Sequence, residues 1–323
     1  ADLCSSSLRY VPSSPAMDLR QLAALVAVAD AGTFSAAAAR LHTVQSNVST
    51  HVARLERELG VALVDRSAGQ LTAEGDVAVA RARRVQAEVD ALVADVASLH
   101  DEVAGHVRMG VIGTTGRWML PPLLAAVGAR YPKVRIAILE GNTTSLLPQL
   151  LAGALDLTVV NLPVSDPQIT VDDLFEEDLV LVAPAGHHLA SRQEVTLEEV
   201  AAHELLLPPP GTSIRVELDR AAEGAGVTLQ AQIELDGLRL IASLAFEGFG
   251  AAILPATAVP ALPNSAWQRI RLAGVTGRRV GLARRRRGLP SAPIRALQEA
   301  MIEVVTDQAP SQPGVHPSPR SSE

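Results

Sequence analysis

The sequence predicts an α/β protein that opens with an all-α winged helical domain, continues through one long linker helix, and ends in two α/β lobes. Three observations carry this. Between Asp18 and Gly60, three short segments in succession place apolar residues at helical spacing, each bounded by a capping or breaking residue. From Ala78 to Val103 the apolar positions alternate strictly four and three residues apart. Beyond His106, short apolar runs take turns with helical patterns, which is how a sheet flanked by helices reads in sequence. With 323 residues, 48% of them hydrophobic, the chain can bury more than one core. Aromatic residues are only 2%, so Ala, Val, Leu and Ile must build those cores.

Residues 1–16 are rich in Ser and Pro and lack the apolar core of a secretory signal, so they are expected to be disordered. Asp18, with Gln21 three residues on, can cap a first helix carrying Leu22, Leu25, Val26 and Ala29 that ends at Gly32. Thr33 then caps a helix over Phe34 to Leu41, whose alanines 36–39 allow a neighbour to approach closely. A turn at His42 to Val44 leads to a third helix with Val48, Val52, Leu55 and Leu59 on one stripe, stopped by Gly60. Val61 to Val64 and Gln70 to Leu71, around a turn at Arg66 to Gly69, suit a small β wing. Thr72 caps the long helix, whose seam of Ala78, Ala82, Val85, Val89, Leu92, Val96, Leu99 and Val103 runs unbroken to Gly105. A period of 3.5 fits a helix paired in a coiled coil, whereas a helix lying on its own domain shows a wider stripe at 3.6. Self-association is therefore expected.

Strands are expected at Val107 to Ile112, Val134 to Glu140 and Leu155 to Val160, in a parallel sheet with helices over Leu120 to Tyr131 and Leu146 to Ala152. Further strands at 179–183, 204–207, 230–235, 251–254 and 280–283, with helices at 214–223, 238–246 and 294–305, exceed one small sheet. The expected division is a DNA-type winged domain over 17–75, a linker over 76–105, and lobes at 106–162 with 277–308 and at 163–276. The Pro- and Ser-rich tail 309–323 is expected to be disordered. The longest apolar stretch, 242–263, is broken by Glu247, Gly248, Gly250, Pro255 and Pro260, which disqualifies it as a membrane span. Cys4 is the only cysteine, so internal disulfides and multi-cysteine metal sites are excluded and a reducing, cytoplasmic setting is expected. His187-His188 lacks companion ligands for a metal, and Gly248-Phe249-Gly250 precedes a strand, so it fails as a dinucleotide loop. Arg284 to Arg287 reads as a solvated basic run. No cofactor, metal or catalytic machinery is expected.

Two helices joined by a turn can set the second in the DNA major groove, where its first residues meet base edges. In the third helix Val48, Val52 and Leu55 face inward, leaving Gln45, Ser46, Asn47, Ser49 and Thr50 outward. Gln and Asn can pair adenine edges, Ser and Thr can serve several bases, and Arg40, Arg54 and Arg66 are placed for phosphates, with Thr33 and Ser35 at the start of the preceding helix. A net charge of −7 opposes bulk attraction to DNA, so local placement must carry the affinity. The series Leu19-Arg20-Gln21-Leu22, Gly32-Thr33-Phe34-Ser35, Arg40-Leu41-His42, Gln45-Ser46-Asn47-Val48-Ser49 and Glu58-Leu59-Gly60, with Leu63, Arg66, Leu71-Thr72 and Gly75, resembles the N-terminal signature of LysR-type transcriptional regulators. Leu120-Pro121, Tyr131-Pro132-Lys133-Val134, Gly153 to Leu157 and His187 to Ala190 resemble later landmarks of that family. Val44 departs from its usual Ser at the recognition-helix cap, so that either Thr43 caps one residue early or the turn differs slightly; Val64 and Thr50 replace a usual Phe and a frequent basic residue.

The resemblance implies a periplasmic-binding-protein-like pair of lobes with a small-molecule effector between them, and a homotetramer built from coiled-coil dimers on promoter DNA. The residues agree with a cleft of that kind. Thr114-Thr115-Gly116-Arg117, Asn142-Thr143-Thr144 and Thr212-Ser213 follow strands or open helices, and Asn161 closes a strand. Hydroxyls, an amide and helix N-termini suit a small carboxylate or other anion, paired by Arg117. A solute-binding protein or enzyme using the same cleft is the alternative.

Overall fold

The computed structural model describes residues 17–67, 69–99, 103–260 and 266–318; the expected disorder of 1–16 and of the last residues of the tail lies outside them. The chain forms two compact units, one ending at Asp90 and the other beginning at Ala91.

The first unit holds α1 (Leu19–Ala31), α2 (Phe34–Arg40), α3 (Gln45–Leu59), β1 (Val64–Asp65), β2 (Gln70–Leu71) and the start of α4 (Ala73–Ser98). Asp18 and Gln21 cap α1 reciprocally, and Gly32 ends it in the left-handed conformation at φ 74°. Thr33 accepts from the Ala36 N–H at 3.1 Å and so caps α2. Ala37 and Ala38 are buried against α1 and α3, where larger side chains would hold the helices apart. Val48, Val52 and Leu55 form the buried face of α3. The expected Thr43 cap is not made: Val44 is the N-cap without a side-chain bond, and the Thr43 hydroxyl instead accepts from the Asn47 amide at 3.0 Å. Thr72 caps α4 through the Gly75 N–H at 3.0 Å.

Glu56, on α3, ties the helix to the wing. One carboxylate oxygen accepts from the Leu63 and Val64 N–H groups at 2.9 and 3.2 Å, and the other pairs with Arg66 at 3.1 Å. Along α4, Val79 and Ala82 are buried in the winged domain, whereas Val85, Val89, Leu92, Val96 and Leu99 are 36–81% exposed. The helix stops at Ser98, short of the predicted Gly105. Val103 packs half-buried beside the core of the next sheet, so the chain must leave the helix to enter it.

The second unit continues with β3 (Ala104–Ile112), α5 (Gly113–Arg130), β4 (Lys133–Gly141), α6 (Thr143–Leu151), β5 (Leu157–Asn161) and β6 (Ile169–Glu177). There follow β7 (Leu179–Pro184), β8 (Glu194–Val195), α7 (Leu197–Ala201), β9 (Glu204–Leu207), α8 (Ser213–Gly224), β10 (Gln230–Glu234), α9 (Leu238–Phe246), β11 (Ala252–Pro255) and β12 (Trp267–Leu272). The chain closes with β13 (Arg278–Arg285), α10 (Ala292–Gln308) and β14 (Val315–Pro317). One sheet has the order β14-β6-β13-β5-β3-β4, and a second has the order β11-β7-β12-β8, beside the pair β10-β9.

The first sheet is mixed instead of parallel: β3, β4 and β5 are parallel, but β13 runs antiparallel to both β5 and β6. It also takes in β6, which was expected in the other lobe. Acidic Asp172, Asp173 and Glu177 break the apolar pattern of that strand, yet they pair with Arg284, Arg279 and Arg278 of β13. The basic run is correspondingly not simply solvated, since the half-buried Arg285 donates to the Leu150 carbonyl at 2.8 Å. Nor is the whole tail without structure. Ala309 and Val315 are buried, and β14 pairs with β6 because its apolar residues complete that edge of the core.

In the second lobe, His203 joins His187 and His188, with ring centroids 4.7–6.4 Å apart. Among the described residues no such group has the arrangement of a metal site. Desolvation, then the neighbouring His203 and His188, lower the His187 pKa. The fold favours the neutral ring, so stability is present at neutral pH and declines as pH falls through the ordinary imidazole range near about 6.5. His187→Gln is expected to flatten the fall in melting temperature between about pH 7 and 5.5; an unchanged slope would show that the cluster does not control it.

Candidate functional site

Two surfaces have the chemistry of a site. On the first unit, Gln45, Ser46, Asn47, Thr50 and Arg54 are exposed along the start and outer face of α3, with Ser49 half-buried. Ser35 donates to the Gln45 side chain at 3.0 Å, fixing α2 against the start of α3, and Thr50 donates to the Ser46 carbonyl at 2.8 Å. Thr33 is spent on its cap. Arg40 pairs with Asp30 at 3.1 Å and Arg66 with Glu56, but both side chains remain more than half exposed, at 60% and 55%. Because α3 has no side-chain cap, its leading N–H groups face outward with the positive end of the helix dipole.

On the second unit, a cleft of about 350 Å³ opens at the ends of β3, β4 and β5. Of the predicted residues it is lined by Thr114, Asn142, Asn161, Thr212 and Ser213. The others are placed differently. Because α5 starts at Gly113, directly after β3, its first turn turns Thr115 and Gly116 into the core and Arg117 out to solvent, so Arg117 does not line the cleft. Thr143 is buried and its hydroxyl accepts from the Asn161 N–H at 3.0 Å, while Thr144 is exposed.

The cation at the cleft floor is instead Arg278. Its guanidinium donates to Glu177 at 2.6 and 2.9 Å, to the Thr114 hydroxyl at 2.7 Å and to the Asn161 side-chain carbonyl at 3.3 Å. Glu177 is fully buried, and its second oxygen accepts from the N–H and hydroxyl of Thr257 at 2.7 and 2.5 Å. Sequence reasoning missed this pair because Arg278 heads an arginine-rich strand; the complementary acids of β6 were the available signal. It also missed Glu140, paired with Arg239 at 2.8 Å, and Asp236, whose two carboxylate oxygens accept from the Asn142 side-chain nitrogen at 3.0 and 3.1 Å. The Asn161 amide donates to Ser213 at 3.2 Å, so β5 and α8 are joined across the floor.

Comparison with known proteins bears on both surfaces. Residues 19–76 match the bacterial regulatory helix-turn-helix protein, lysR family, and residues 100–306 match the LysR substrate binding domain. A probable hydrogen peroxide-inducible genes activator of Streptomyces viridosporus is 35% identical over 295 residues, covering 90% of this chain and 95% of the relative. One described in the same words from Mycobacterium leprae is 34% identical over 299 residues, covering 89% and 94%. Among solved structures, a full-length OxyR variant from Pseudomonas aeruginosa shares the fold with a TM-score of 0.70 at 24% identity, covering 90% of this chain and 94% of that one. CbnR complexed with its target DNA gives 0.64 at 26% identity, covering 91% and 100%. With both domains matched in order along nearly the whole chain, this protein belongs to the LysR family of transcriptional regulators.

Proposed function

We propose that this regulator reads promoter DNA through α3, acts as an oligomer paired along α4, and responds to a small molecule held in the cleft, in the cytoplasm and without catalysing a reaction. The observation that carries the DNA reading is the exposed polar set Gln45, Ser46, Asn47, Ser49 and Thr50 at an uncapped helix start, with Arg40, Arg54 and Arg66 around it. The leading N–H groups can take a phosphate while the side chains meet bases. In a gel shift on DNA from its own promoter region, Asn47→Ala is expected to cost about 1–3 kcal/mol, roughly 5- to 150-fold in Kd, and to relax base preference. Arg54→Ala should weaken binding alike on all sequences and lower the salt dependence by about one ion. Unchanged binding by both variants would overturn the assignment of this face.

The exposed strip Val85, Val89, Leu92, Val96 and Leu99 supports pairing with a second copy, which doubles the DNA contacts of a near-neutral domain. Leu92→Glu combined with Val96→Glu should shift the mass measured by light scattering toward the monomer while circular dichroism stays helical. An oligomer of unchanged mass would place the interface elsewhere.

Relatives are described as probable activators of hydrogen peroxide-inducible genes. Peroxide is read chemically by a thiolate, and residues 104–318 of this chain contain no cysteine. The residues therefore favour reversible occupancy of the cleft over thiol oxidation as the trigger. Its preformed polar floor of Thr114, Asn161 and Arg278 supports that reading.

A further inference from the structure

We infer that the cleft takes a small zwitterion, an aminocarboxylate carrying its ammonium and its carboxylate on one short skeleton. This rests on the effector reading above and adds the chemical class. The lining has two unlike sides. On one, α8 begins with no side-chain capping bond and no acidic residue in its first turn, so its leading N–H groups are donors at the cleft; α5 also begins uncapped, with the Glu140 carboxylate beside its first residue, Gly113. The Thr114 and Ser213 hydroxyls stand at the same helix starts, and Thr114 and Asn161 are at least nine-tenths buried while lining the cavity. This side is built for a carboxylate.

The other side is acidic. The lining carries Glu140, Asp236, Arg239 and Arg278; Arg239 pairs with Glu140, and Arg278 is neutralised from behind the floor by the buried Glu177, so Asp236, exposed at the mouth of the cleft, is the acid left without a cation. Among the described residues Asp236 meets only the neutral amide of Asn142. A plain carboxylate would meet the helix starts but share the cavity with an uncompensated like charge. A plain amine would meet Asp236 and leave the helix starts unanswered. A zwitterion answers both, and a volume of 350 Å³ lies at the small end of ligand pockets.

The test is thermal-shift and calorimetric titration of the full chain with the twenty protein amino acids. For every stabilising one, the amine lacking the carboxylate and the acid lacking the amine are titrated in parallel. At least one amino acid is expected to raise the melting temperature, with its amine and acid counterparts binding at least tenfold more weakly. Asp236→Asn should bring the amino acid down to the level of its acid, and Ser213→Ala should weaken it without abolishing discrimination. An acid that binds as tightly as its amino acid, an indifferent Asp236→Asn, or stabilisation by none of the twenty would each overturn the inference. A promoter gel shift on the same preparation separates the two readings. Specific DNA retention with no amino acid bound sinks only the zwitterion, whereas an amino acid bound without specific retention sinks only the regulatory function.

Discussion

Glu177→Ala should cost the cleft-bearing unit about 3–5 kcal/mol, because removing one partner of a buried ion pair strands the other charge away from water. The two side chains are 0% and 4% exposed, so in the intact fold the pair is shielded from solvent. The same substitution unpairs the N–H of Thr257 and loosens Arg278 from Thr114 and Asn161 at the cleft floor. Glu177 ends β6 and Arg278 begins β13, the strands through which the chain passes from one sheet to the other and back. The pair thus pins both crossings. The urea midpoint of the full chain measures the loss. Replacing both residues together by Met and Leu should cost much less than the single change, since buried pairs are often matched by apolar groups of similar volume. A loss below about 1 kcal/mol for Glu177→Ala would show that water entering through the cleft solvates Arg278 once the carboxylate is gone.

Gly75→Ala is expected to damage DNA binding from a position that touches no DNA. A methyl group at Gly75 would lie 2.0 Å from the Leu63 carbonyl, a backbone atom that cannot swing aside. Leu63 leads into the wing, and its N–H is held by Glu56. Relief of the clash must move the wing, with Arg66, or the start of α4. Overpacking of this kind costs about 1–3 kcal/mol. Gly128→Ala makes a sharp control, because Gly128 lies within α5 with open space around it. There the added methyl should stabilise by about 0.5–1 kcal/mol. Melting of each variant together with promoter gel shift checks both; a Gly75→Ala protein of full stability and affinity would refute the close approach.

The winged domain was legible in sequence because its determinants are local. Asp18, Thr33 and Gly60 mark helix ends, and Val48, Val52 and Leu55 mark the buried face, where the structure has them. The second unit was legible where strands are apolar throughout, as in Leu179–Pro184, and illegible where a strand is stabilised by its neighbour. Ile169–Glu177 alternates poorly on its own, and only the register that sets Arg278 opposite Glu177 makes its acids favourable. The same holds for the cleft. Thr114, Asn142, Asn161, Thr212 and Ser213 announced themselves by following strands or opening helices. Arg117 was misplaced by the seven residues by which α5 begins ahead of the predicted Leu120, and Arg278 was hidden because burial of a charge depends on partners about a hundred residues away in the chain, |i−j| being 101 for Glu177. Long-range pairing of charges leaves no local pattern to read.

The short strand Val315–Pro317 covers the outer edge of β6. A protein cut after Asp307 would keep α10 nearly whole but uncover the Phe175–Glu177 end of β6, freeing its N–H and C=O groups. Such an edge is a template on which other chains add, so the shortened protein should associate strand to strand and not merely lose stability. The strand Val315–Pro317 thus acts as a guard against polymerisation.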